Sequence, residues 1–215
     1  MITRRAFTAA LSLTGLAALA GFSPLRLITD AMAQSATDVA KPVSLPDMAI
    51  GPANATVTIT EFASMTCPHC AAFTEKVFPK IKTEFIDSGK VRFIFREFPL
   101  DPLAAGASML ARCADKDKFY PLIETLFQQQ TKWAVEKPIP QLMAIAKQAG
   151  MSEQTFNACL SDQKMLDAMQ TEQKRATDKF GVNSTPTLFV NGKKHVGGVS
   201  IEDMAKAIDS FLPKS

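Results

Sequence analysis

The sequence has no block of like charge. Its 24 Lys and Arg stand against 21 Asp and Glu, a net of +3, so nothing argues for a nucleic-acid partner. It has no internal repeat and no low-complexity tract, which excludes solenoids and fibrous arrays. Of its four cysteines, only Cys67 and Cys70, in Cys67-Pro68-His69-Cys70, form a C-x-x-C. A structural zinc site takes four ligands, usually from two spaced pairs, and His69 between the cysteines is badly placed to join them on one ion. No metal is expected. Residue 71 is Ala, not the His that haem attachment at C-x-x-C-H requires. The N-terminal apolar run, LSLTGLAALAGF, is too short to span a bilayer.

What is present is an ordinary globular composition, 47% hydrophobic and 21% charged over 215 residues, suited to one domain with a large insertion. Arg4 and Arg5 followed by the apolar run read as an export signal over residues 1–33. Ala31-Met32-Ala33 offers a cleavage site that would start the mature chain at Gln34. Ala18-Leu19-Ala20 is a second candidate, and an uncleaved anchor the alternative. TRRAF resembles a twin-arginine signal. Export would place the cysteines where disulfides persist, and their even count is consistent with full pairing.

Residues 34–47 are polar, with two prolines and no periodicity, and read as a mobile leader. MAIGPAN suggests a short strand and turn. TVTITEF reads as a strand with Val57, Ile59 and Glu61 on one face. A helix opens at the cysteine pair, with Pro68 in its first turn. Phe73, Val77, Ile81 and Phe85 form its apolar ridge, which Pro79 should kink. VRFIFREFP is the next strand. Residues 101–180 show only helical spacing, with Ser152 and Asp162 as N-caps and Gly150 as a stop; Trp133 is expected to pack there. TPTLFV, Asn191-Gly192 and KKHVGG read as a hairpin. Ser200 caps a last helix whose apolar face runs from Ile201 through Met204 and Ile208 to Phe211 and Leu212. His195, in the hairpin, reads as a surface or packing residue. The order predicts an α/β sheet, with a parallel β-α-β over 48–100, an all-helical insertion over 101–180, and a β-β-α end over 181–215.

A C-x-x-C that follows a strand and opens a helix fits redox chemistry best. At a helix start, unpaired N–H groups and the helix dipole favour a thiolate on Cys67, and His69 nearby would favour it further. A thiolate comfortable as an anion stabilises the reduced pair and makes the disulfide oxidising. Cys70, one turn on, can resolve a mixed disulfide. Cys67 is expected to be exposed and Cys70 more buried. A purely structural staple is the weaker alternative, because so small a loop gains little.

EFASMTCPHC, the NSTPTLFVNG segment and the helical block between them resemble the DsbA family of thioredoxin-fold thiol:disulfide oxidoreductases, over roughly residues 48–212. The resemblance implies a thioredoxin fold with a central mixed sheet. It makes Thr185-Pro186 a cis-proline loop that faces the disulfide and pairs with extended substrate. It makes Glu61 a buried acid that exchanges a proton with Cys70, and His69 the residue that tunes the thiolate. Many members lack Cys113 and Cys159. Here the pair is expected to form a structural disulfide between two helices, closing a loop of about 47 residues worth roughly 4 kcal/mol in the chain-entropy model. An alphaproteobacterial subset of the family is similar in carrying such a pair; two buried free thiols are the alternative.

The function so implied is a monomeric periplasmic thiol oxidase. It would give its Cys67–Cys70 disulfide to reduced, unfolded exported proteins, need no cofactor, and be reoxidised by a DsbB-like membrane quinone reductase. The rivals are an isomerase or reductase of the same fold, for which residues 34–47 are too short to hold a dimerisation domain, and a non-catalytic chaperone-like binding module, against which the retention of both cysteines counts.

Overall fold

The computed structural model describes residues 38–213. The expected export signal over 1–33 and the start of the mature chain lie outside them. Five strands form one mixed sheet: β1 Met48–Ile50, β2 Val57–Ala63, β3 Val91–Glu97, β4 Thr187–Val190 and β5 Lys193–Val196. Their spatial order is β1-β3-β2-β4-β5. Only β2 and β3 are parallel, with Glu61 opposite Phe95; the other neighbours are antiparallel.

The crossover between β2 and β3 is helical. α1, Pro68–Lys76, stops at Val77, and α2, Phe78–Ile81, runs into a wider turn over Lys82–Ile86. Pro79 explains the break, since its ring crowds the carbonyl four residues back and it has no N–H to give. Between β3 and β4 the described chain is all helix: α3 Pro102–Cys113, α4 Phe119–Gln128, α5 Gln130–Trp133, α6 Ile139–Gln148, α7 Glu153–Leu160 and α8 Gln163–Phe180. Asp101, Ser152 and Asp162 cap α3, α7 and α8 through their side-chain oxygens. Each satisfies an N–H with no partner inside its helix. Asn191 and Gly192, at φ 44° and 83°, turn the hairpin in the left-handed sense its strand twist demands. Ser200 caps α9, Ile201–Asp209. That helix is shorter than its apolar spacing suggests, and Phe211 lies beyond it, partly exposed.

Strand alternation sorts side chains onto two covered faces. Val57, Ile59 and Ala63 of β2, with Val91, Phe93 and Phe95 of β3, join the main core against α1, α2 and the insertion. Glu61 shares their parity, so its carboxyl points into that core. Phe62 and Phe189 point the other way, into a smaller cluster with Val39, Phe98, Ala176 and Val182.

Residues 38–47 differ from the mobile leader expected of them. Arg96, buried on β3, donates to the Ala40 carbonyl at 2.9 Å and to Asp47 at 2.6 Å. Its other nitrogen lies 3.4 Å from Glu172 of α8. Glu172 accepts in turn from the Val43 and Ser44 N–H groups at 2.7 and 2.9 Å. The partners that hold this segment come from far along the chain, so its own composition cannot reveal them.

Candidate active site

β2 delivers the chain to a tight turn in which the Cys67 N–H bonds the Ser64 carbonyl at 3.0 Å. Cys67 is the N-cap of α1, with Pro68 at its first position, where a missing N–H loses nothing. Its carbonyl accepts from the Cys70 and Ala71 N–H groups at 3.1 and 3.2 Å. The turn is braced outside by the Ser64 hydroxyl, which accepts from the Leu100 N–H, and by Thr66, which donates to Asp101. Across the site the Thr185–Pro186 bond is cis, and the Cys67 thiol donates to the Thr185 carbonyl at 3.3 Å.

Cys70 is fully buried, but Cys67 is less open than expected, at 7% exposure. The Thr185–Pro186 loop packs against its sulfur. The environment separates the two thiols. The Cys67 thiol is lowered to about 5, first by a hydrogen bond from Cys70 and then, against the opposing effect of burial, by the Thr185 side chain. The Thr185 hydroxyl is buried with no hydrogen-bond partner among the described residues, which leaves it free to turn to the anion. No cap hydrogen bond reaches the sulfur, yet the N–H groups of Cys70 and His69 add to the stabilisation of its charge. The Cys70 thiol is pushed far up, by burial first and then by its bond to Cys67 and the charge of Glu61. Glu61 is 2% exposed, and its carboxyl is raised to about 8 by desolvation and then by the negative charge of Cys67. One of its oxygens has no hydrogen-bond partner among the described residues. The arrangement therefore holds one sulfur ready as an anion, a second held as a thiol, and a protonated carboxyl near both.

A thioredoxin family model matches residues 44–210, most of the chain. The chain belongs to the DsbA-like family of thioredoxin-fold oxidoreductases. Its DsbA-like character is repeated among individual relatives. A putative protein-disulfide oxidoreductase of Rickettsia bellii is 32% identical over 79% of this chain and 66% of its own length. Disulfide bond formation protein D of Bacillus subtilis is 30% identical over 76% of each. The crystal structure of Wolbachia pipientis alpha-DsbA1 superposes with a TM-score of 0.76 at 29% identity, covering 82% of this chain and 95% of that one. This DsbA-like chain spans only 60–66% of the length of the Rickettsia relatives it matches.

The fold brings together Glu61, Cys67, Cys70 and Thr185. His69 and Pro68 are exposed on the rim. The His69 ring makes no hydrogen bond among the described residues, so what His69 visibly brings to the sulfur is its main-chain N–H. Cys113 and Cys159 are joined by a disulfide that ties α3 to α7. His195 stands apart in β5, half-buried. Trp133, fully buried, donates its indole N–H to the Leu126 carbonyl at 2.6 Å. Two residues were not foreseen. Tyr120 donates to the Met48 carbonyl at 2.8 Å and accepts from the Phe95 N–H at 3.2 Å, joining β1 to β3. Gln130 reaches the active-site turn itself. No spacing or motif in the sequence singles out either residue. Among the described residues no cluster of His, Cys, Asp and Glu could hold a metal ion.

Proposed function

We propose that this chain is a thiol oxidase that introduces disulfides into reduced proteins exported to the periplasm. The observation that carries the reading is the opposed environment of the two sulfurs, with Cys67 favoured as an anion and Cys70 as a thiol. A substrate thiolate attacks the Cys67 sulfur of the Cys67–Cys70 disulfide. The S–S bond breaks, and Cys70 leaves with the electron pair and takes a proton from the Glu61 carboxyl. A second substrate thiolate then attacks the substrate sulfur of the mixed disulfide, and Cys67 departs as its stabilised thiolate. The substrate loses two electrons and gains a disulfide; the enzyme gains those electrons as the Cys67 thiolate and the Cys70 thiol, and Glu61 regains its proton from solvent. A membrane quinone reductase of the DsbB kind then takes the two electrons and restores the disulfide.

Support comes from the relatives' names, which speak of protein-disulfide oxidoreductase and disulfide bond formation, and from the helix-start geometry that favours an oxidising pair. The N-terminal arginines and apolar run support export. Among the described residues no helix is long and apolar enough to cross a membrane. The test is the reduction potential of the pair, measured against glutathione, together with oxidative refolding of a reduced multi-disulfide protein. An oxidase shows a potential well above that of reducing dithiols, refolds the substrate, and is found oxidised in the cell. A strongly reducing potential, with the pair found reduced in the cell, would instead assign the chain to reduction or isomerisation.

A further inference from the structure

Gln130 is an uncharged polar side chain, 8% exposed, beneath the redox site. It opens α5 just after the corner at Gln129. Its Nε2 donates to the Met65 carbonyl at 2.8 Å and to the Cys67 carbonyl at 3.1 Å. Both acceptors are carbonyls, so the amide can present only its NH2 end, and both N–H groups are spent on the active-site turn. The corner that carries it is itself fixed, because the Trp133 indole bonds Leu126 across the same bend and the Gln130 carbonyl accepts from the Ala134 N–H at 2.8 Å. Ser64 and Thr66 brace the outside of the turn. Gln130 holds it from inside, and from a different part of the chain. The Cys67 carbonyl it bonds is the one that receives the first N–H groups of α1. Its orientation sets where the Cys67 sulfur stands relative to those donors and to Thr185.

We propose that Gln130 is a positioning residue for thiol–disulfide exchange: its side-chain amide clamps the Met65–Cys67 turn and so fixes the Cys67 sulfur against the start of α1 and the Thr185 loop. The clamp makes the helical insertion part of the redox centre, since any displacement of α5 is passed to Cys67. This inference rests on Cys67 being the sulfur that departs as a stabilised thiolate, a point the wild-type protein tests by itself.

Gln130→Met keeps the reach and removes both donors. In the reduced protein, thiolate absorbance at 240 nm followed against pH should show the variant's Cys67 midpoint raised by about one unit. Its equilibrium with glutathione should then shift about tenfold toward the disulfide, about 30 mV for a two-electron couple. A variant that is less stable to urea but titrates like wild type overturns the proposal and leaves Gln130 a merely structural residue. Should the variant fail to fold, the wild type still decides. The side-chain amide resonances of Gln130 in a nitrogen-15 spectrum must move with the same midpoint as the 240 nm transition, and resonances that stay still through it overturn the clamp. A wild type with no acidic thiolate transition at all removes the thiolate reading, and the inference with it.

Discussion

Replacing Glu61 with Gln tests whether the carboxyl in the core is a protonated acid at neutral pH. In an unfolded chain this group ionises near its ordinary value of 4.5, and in the folded reduced protein near 8. Between those values the folded state holds a proton that the unfolded state has lost, so the group removes stability as pH rises, with a slope of about 1.4 kcal/mol per unit. Integrated from pH 5 to pH 8, that is a loss of roughly 3.5 kcal/mol. Cys67 works in the opposite sense. Its folded value near 5 lies below the ordinary thiol value of 9, so its contribution is complete above 9, grows through the same window and is lost as pH falls through 5. In the wild type the two slopes nearly cancel, although solvent reaching the Cys67 sulfur trims its share. Glu61→Gln removes one side of the balance. Urea unfolding of both reduced proteins at half-unit pH steps should show the variant gaining stability on the wild type by roughly 3 kcal/mol from pH 5 to 8. A difference that stays flat across the window would mean that Glu61 is ionised in the folded protein. Its assignment as proton donor to Cys70 would then fail.

Cys70→Ala removes the hydrogen bond that does most to stabilise the Cys67 anion. The 240 nm midpoint should rise by about one to two pH units, and an unmoved midpoint would leave Thr185 and the helix start to account for the anion. Cys113→Ala with Cys159→Ala should cost up to roughly 4 kcal/mol in urea unfolding while the Cys67 titration stays in place; equal stability would deny the bridge a structural role. Arg96→Met takes from Asp47 and Glu172 a shared buried cation, leaving Arg92 at 3.6 Å from Asp47 and Arg175 at 3.9 Å from Glu172, and should cost about 1.5–3 kcal/mol. Amide exchange at Val43 and Ser44 should speed up with it, and unchanged protection there would show that Arg96 is not what holds the segment.

Local chemistry was legible. The C-x-x-C after a strand, the caps at Ser152, Asp162 and Ser200, the Asn191-Gly192 turn and the inward parity of Glu61 all follow from spacings of a few residues, and the structure realises them. What could not be read depends on partners distant in sequence. Gln130 is one of three consecutive glutamines, and only the bend at Gln129 (φ −104°, ψ 15°) decides which of them turns inward. Arg96 meets Glu172 across 76 positions, so the docking of residues 38–47 leaves no local trace. The redox reading of the pair puts Cys67 in the open. The loop at Thr185, 118 residues away, covers it.

The hold of Glu172 on Val43 and Ser44 spans 129 and 128 positions. A ribosome makes the amino end first, so this stretch must wait, with its polar backbone in water, until nearly all of the helical block has been synthesised. The earliest part of the described chain to be made is thus among the last to find its seat. Cutting the polypeptide anywhere before α8 would take away the Glu172 side of that hold and leave the segment to its contacts with Arg96.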